Sequence, residues 1–144
     1  MSPRLFADMG YDALVLNRVH HKIKDKMRGS KELEFIWKLS DKGSDGSSKI
    51  WTMFSHVLHT HYSAPQNFDF ENSGVQAIND ANINYRASEL VRDLKSRAKS
   101  YRTNHLLIPF GDDFKFKNAE HQFSNMDKLI GFVPSPPSLS NLSG

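Results

Sequence analysis

The chain contains no cysteine among its 144 residues. That single absence excludes disulfide frameworks, thiolate zinc ribbons, thiol catalysis and iron–sulfur clusters together, and leaves the redox compartment unread. There is no apolar run approaching the roughly 18–20 residues that span a bilayer as a helix, and Met1 to Asp8 hold no apolar stretch of signal-peptide length. A membrane-spanning segment is therefore not expected, and no targeting signal is visible. The charge excess is also small: nineteen Lys and Arg against sixteen Asp and Glu give +3. That is too little to mark a nucleic-acid binder, and no nucleic-acid partner is expected. Hydrophobic residues, at 38%, fall below the roughly 45–50% apolar content of ordinary soluble domains, so the core has little to spare.

What is present reads as one domain's length of alternating elements. Residues 13–19 form a short apolar run expected to be a buried strand ending near Arg18. His20 to Arg28 is basic and helix-compatible, closed by Gly29 and Ser30. Glu32 to Leu39 is a second strand pattern, and residues 41–48 read as a surface loop. Ile50 to Phe54 is a third apolar segment. The stretch from His56 to Ser73 follows as a long irregular segment, holding three histidines, Tyr62, and Phe68, Asp69, Phe70 and Glu71 in succession. Irregular segments of that length usually serve function.

The clearest periodicity comes next. Ala87, Leu90, Val91, Leu94, Ala98 and Tyr101 form one stripe of a helix expected over about 81–102. Arg86, Glu89, Arg92, Asp93, Lys95, Arg97 and Lys99 form its polar face. His105 to Phe110 reads as a buried strand leading into Gly111, Asp112 and Asp113, and residues 118–130 look helical. Strand and helix in alternation predict an α/β fold with parallel strands. Residues 131–144, rich in Pro and Ser, are expected to be a disordered tail.

In such folds the site lies beyond the carboxyl ends of the strands. Asp112 and Asp113 stand at one such end and Arg18 at another, where a guanidinium can clamp hydroxyls or neutralise a carboxylate. Gly-Asp-Asp is also ordinary turn chemistry, a strand-end arginine is commonly just solvated, and Tyr62 is as readily packing as a hydrogen-bond donor to a ligand. His56, His59 and His61 invite a metal reading, but neither a helix nor a strand puts all three on one face, so none is assigned as a metal ligand. The basic run from His20 to Lys31 could meet phosphate, or be the solvated side of a helix.

The segments from Phe6 to His21, from Leu33 to Trp37 and from Tyr101 to Phe116, with Gly111, Asp112, Asp113 and Phe114 as the most specific stretch, resemble the catalytic domain of family 38 glycoside hydrolases, the class II α-mannosidases. The resemblance covers roughly residues 4–130. Arg18, Val19 and His20, with Phe68, Asp69 and Phe70, look like the Golgi branch, while residues 125–130 look more like the lysosomal one.

The resemblance implies a seven-stranded β/α barrel, of which residues 1–130 would be a part. It also implies a zinc-dependent retaining glycosidase acting on α-linked mannose in N-glycans, in the Golgi and secretory pathway or alternatively the lysosome. The general acid/base would fall on Asp113, with Asp112 beside it, Arg18 as a substrate-binding arginine and Tyr62 as a sugar-contacting tyrosine. The zinc ligands and the nucleophile aspartate of the family fall outside residues 1–144, so the chain is expected to be an internal fragment, inactive alone. Two alternatives are a small basic module binding phosphate-bearing partners and a non-catalytic glycan-binding remnant. Salt-sensitive binding to heparin or RNA marks the first, and mannose binding without turnover marks the second.

Overall fold

The structure is a computed structural model and describes residues 3–42 and 48–133. By its contacts the chain falls into two compact units: residues 1–62 with 95–107, and residues 63–94 with 108–144.

In unit one, a short helix α1 (Pro3–Asp8) precedes strand β1 (Ala13–Leu16), helix α2 (His21–Ser30), and strands β2 (Glu34–Lys42) and β3 (Ser48–Val57). The three strands form one sheet in the order β1-β3-β2. β1 runs parallel to β3, with Ala13 opposite Phe54 and Leu16 opposite Val57, and β2 runs antiparallel to β3, with Glu34 opposite His56 and Trp37 opposite Met53. The sheet is thus mixed, where the sequence pattern predicted parallel strands throughout. The reason is chain length, because residues 43–47 are too few for the crossover of about a dozen residues that a parallel neighbour needs.

The surface loop expected at 41–48 falls partly within these strands, which reach Lys42 and resume at Ser48; residues 43–47 lie outside the described residues. Likewise His56 and Val57, expected to be irregular, complete β3. Helix α2 runs through Gly29 rather than stopping there. Lys31 takes the left-handed position (φ 57°) that closes it, and Glu32 N–H returns to the Met27 carbonyl at 2.8 Å.

One face of the sheet is packed. Leu33, Val57 and Tyr101 form the core of unit one, with Leu16, Val19, Met27, Phe35 and Leu106 against them. On the other face Val15, Ile36, Ile50 and Phe54 are exposed.

Helix α3 (Ile83–Ala98) is shorter than the predicted 81–102. Asn79 caps its start, accepting the Asn82 N–H at 3.1 Å, and tight turns such as Tyr101 N–H to the Ala98 carbonyl (3.2 Å) end it. Two of its polar-face residues are not solvated: Arg86 is 8% and Arg97 6% exposed. Arg86 lies over the Phe68 ring at 4.7 Å and donates to Glu89 (3.1 Å) and to the Asn67 carbonyl. Arg97 donates to the Thr60 hydroxyl at 3.3 Å.

Unit two is built on the first three turns of α3 and on helix α4 (Ala119–Phe132), which Asn118 caps by accepting the His121 N–H at 3.4 Å. Its core is Phe68, Phe70, Ile78, Ala87 and Leu129. α4 includes Gly131 and Phe132, expected to belong to the disordered tail; residues 134–144 lie outside the described residues. The strand predicted at 105–110 is absent, since these residues are irregular and half-exposed. Pro109 offers no N–H to a ladder, and an apolar run becomes a strand only where a neighbour accepts its hydrogen bonds.

Candidate functional site

Because no strand precedes them, Asp112 and Asp113 do not crown a strand end; they open an irregular loop over 111–118. Three residues of this loop have φ in the left-handed half of the map: Gly111 (156°), Phe114 (60°) and Phe116 (65°). Gly111 is favoured by its φ, and an added Cβ would lie 3.3 Å from the part-exposed Phe116 ring, which would have to shift slightly. Aromatic residues pay a strain cost there, which persists only where surrounding contacts impose it.

Those contacts come from the stretch Phe68 to Glu71. Its two phenylalanines are buried in the core, and the two carboxylates between and after them face the loop. Glu71 accepts the Asn118 N–H at 2.6 Å and the Phe116 N–H, while Asp69 pairs with the Lys115 ammonium at 2.6 Å. The Asn118 backbone bond is the main reason the Glu71 carboxyl is held below its ordinary pKa. The hydrogen bond to Asp69 raises Lys115 above its own. Asp112 accepts the Asp113 N–H at 2.7 Å, as turn chemistry does.

The result is a cavity of about 660 Å³ lined by Phe70, Glu71, Asp113, Phe114, Lys115 and His121 among others. Asp113 and Phe114 are exposed at it, Phe114 by 89%. Asp69 and Glu71 are loop-setting residues that the sequence reading noted only as part of a long irregular segment. The alternation of aromatic and acid was the signal available, two buried phenylalanines each followed by a carboxylate.

Arg18 and Tyr62 belong to unit one. Arg18 is exposed and lines a second cavity of about 580 Å³ with Asn17, His20, His21, Lys24 and Arg28. Tyr62 is half-buried, its ring against that of His61 at 4.1 Å. The basic run from His20 is not uniformly solvated. Lys24 is 7% exposed and donates to the carbonyls of Asn17 and Thr60, and Arg28 donates to that of His59 at 3.0 Å.

His56, His59 and His61 do not gather. His56 is buried in β3, bonded through Nδ1 to Glu34 at 2.9 Å and stacked on Tyr101. Among the described residues no three His, Asp or Glu side chains stand where they could hold one metal ion. The resemblance assigns the zinc ligands to no residue of this chain, and no chemical step is derived through that metal. Among the described residues, no helix is long and apolar enough to cross a membrane.

The loop of Asp112 and Asp113 lies inside a longer match. The model of the glycosyl hydrolases family 38 N-terminal domain matches residues 1–143. The chain belongs to this family. Among the proteins similar to it are alpha-mannosidase B of Dictyostelium discoideum, 35% identical over 96% of this chain, and the lysosomal alpha-mannosidase of the same organism, 32% identical over 97%. The epididymis-specific alpha-mannosidase of Homo sapiens is 32% identical over 93%. The chain spans 16%, 14% and 15% of the length of these three proteins.

Proposed function

We propose that these residues serve within an α-mannosidase of family 38 that releases α-linked mannose from N-glycans with retention of configuration, in the secretory pathway or the lysosome. Asp113 is the general acid/base. In the first step its proton goes to the glycosidic oxygen as a carboxylate nucleophile attacks the anomeric carbon, and in the second it takes a proton from the water that hydrolyses the glycosyl-enzyme. Asp112, Arg18 and Tyr62 are substrate-binding residues, and by the resemblance zinc would be held in the complete barrel by residues assigned to none of these 144. By the resemblance, the nucleophile is assigned to no residue of this chain, so the 144 residues are proposed to be inactive alone.

The observation that carries the acid role is the strained loop itself. Asp113 is held at an open cavity by a backbone that costs free energy and is kept in place by Glu71 and Asp69. Strain of that kind clusters where a side chain must be aimed.

The test is to graft residues 4–130 into a complete class II α-mannosidase and measure glycosylation rates. Asp113→Asn is expected to slow substrates with poor leaving groups by about 10²–10⁴-fold, the usual worth of a general acid. Activated leaving groups, which depart without a proton, slow far less. Equal slowing of both removes Asp113 from the role and makes Asp112 the next candidate.

A further inference from the structure

We propose that the cavity at the start of α2 is an oxyanion site that takes a phosphate group, free or as a monoester. It shares Arg18 with the mannosidase reading but does not rest on it.

The charge around this cavity is unbalanced. Arg18, Lys24 and Arg28 line it with one carboxylate, Asp25, which is already paired with Arg28 at 3.0 Å. Lys24 is more than nine-tenths buried, yet what it meets are two carbonyl oxygens, of Asn17 at 2.9 Å and Thr60 at 2.7 Å. Carbonyl dipoles satisfy two of the three ammonium protons and leave the charge uncompensated. Burial, and then the charge of Arg28, lower the Lys24 pKa, as expected for a cation in a field that is positive on balance.

Two further features face the same space. The side chain of Asn17 has both its amide nitrogen and its oxygen buried with no hydrogen-bond partner, and Asn17 lines the cavity. A buried polar group left unmade is costly, so such a group points to a partner supplied from outside the chain. The ten-residue helix α2 also begins here with His20 in the capping position and no side-chain cap. The start of this helix, with its positive dipole end, thus stands at the cavity lined by His20 and His21 without a side-chain cap.

Clamping a sugar hydroxyl would use Arg18 alone and leave the charge of Lys24 and the end of α2 unanswered. A phosphate oxygen accepts from guanidinium, ammonium, amide and helix N–H alike, which is the donor set present. His20, His21 and His61 line the same space, and each imidazole carries a ring N–H of the kind a phosphate oxygen accepts.

The experiment is an NMR titration of the 144-residue chain at low ionic strength with inorganic phosphate, following the amides of His21 and Lys22 and the side-chain amide of Asn17. Glucose 6-phosphate, methyl α-mannoside and sodium chloride at matched ionic strength are titrated in parallel. Phosphate is expected to shift these signals saturably, and Arg18→Gln, a change at an exposed residue, to weaken binding about tenfold, the size of one charge-assisted hydrogen bond. Lys24→Met is expected to abolish it. If that variant unfolds, the Arg18 arm still decides.

Tighter binding of glucose 6-phosphate than of phosphate identifies a phosphorylated sugar as the ligand, and equal binding identifies free phosphate. Chloride producing the same shifts, methyl α-mannoside moving the signals as far as phosphate, or Arg18→Gln leaving affinity unchanged each overturns the proposal. Mannoside shifts without phosphate shifts would leave the mannosidase reading standing while this one falls.

Discussion

Unit one and unit two satisfy their backbones in different ways. In unit one the strands pair with one another, so the ladder from β2 to β3 consumes N–H and C=O groups along nine residue pairs, and side chains are left to pack. Unit two has no strand among its described residues, and its long irregular segments are satisfied by side chains of α4. Gln122 accepts the Phe70 N–H at 2.8 Å and donates to the Phe68 carbonyl at 3.2 Å, and Asn125 accepts the Ile78 N–H at 2.7 Å. Both amides are buried, at 3% and 2% exposure. A loop can thus be as fixed as a strand when buried amides replace the missing neighbour. The cost is that its geometry hangs on a few polar side chains.

The largest effect is expected in unit one. Leu33→Ala empties a fully buried position and should cost about 2–5 kcal/mol in a denaturant melt. Next, Gln122→Leu strands one N–H and one C=O in unit two and should cost about 2–4 kcal/mol, with lost hydrogen-exchange protection at Phe70. If Gln122→Leu costs less than about 0.5 kcal/mol, water replaces the amide and the comparison fails. Gly111→Ala should cost about 1–3 kcal/mol, because the new Cβ meets both an unfavourable φ and the Phe116 ring.

Titration sharpens the comparison at smaller amplitude. Burial, with the Glu34 charge next, pushes the Tyr101 hydroxyl up to about 12, and that hydroxyl donates to the Val57 carbonyl at 3.0 Å. A pKa raised in the fold means its stabilisation is complete below the unfolded value of about 10 and is lost as pH rises from there toward 12. Tyrosinate absorbance should show one tyrosine ionising late, together with unfolding.

Glu71 runs the other way. Its lowered pKa gives stabilisation present above the ordinary carboxylate range and lost as pH falls through the depressed value. Exchange protection at the Phe116 and Asn118 amides should therefore drop in acid, and Glu71→Gln should reproduce the drop at neutral pH. Unchanged protection in both would show that the loop is not held by this carboxylate.

Local pattern made the helices readable. The stripe of Ala87, Leu90, Val91 and Leu94 and the run ending at Ile130 report a period that any helix needs to bury one side, and α3 and α4 follow. The apolar runs at 13–19, 32–39 and 50–54 located the three strands in part, although β1 ends at Leu16 and is half-exposed rather than buried and β2 and β3 run further than those patterns, and the Gly111 to Phe114 motif was legible as a family likeness. The direction of β2, the burial of Arg86, Arg97 and Lys24, and the clamp of Asp69 and Glu71 on the loop were not.

Periodicity is a property of neighbours along the chain, and it showed where the helices and most of the strand-forming runs lie, while particular residues such as Gly111 to Phe114 carried the family resemblance. Whether an apolar run such as 105–110 becomes a strand depends on a partner elsewhere that accepts its hydrogen bonds. Whether a charged residue is solvated or buried depends on which distant carbonyls reach it. Those are contacts between residues far apart in sequence, so only the tertiary structure decided where the loop carrying Asp113 is pinned and why the cavity beside Lys24 is left with positive charge to spare.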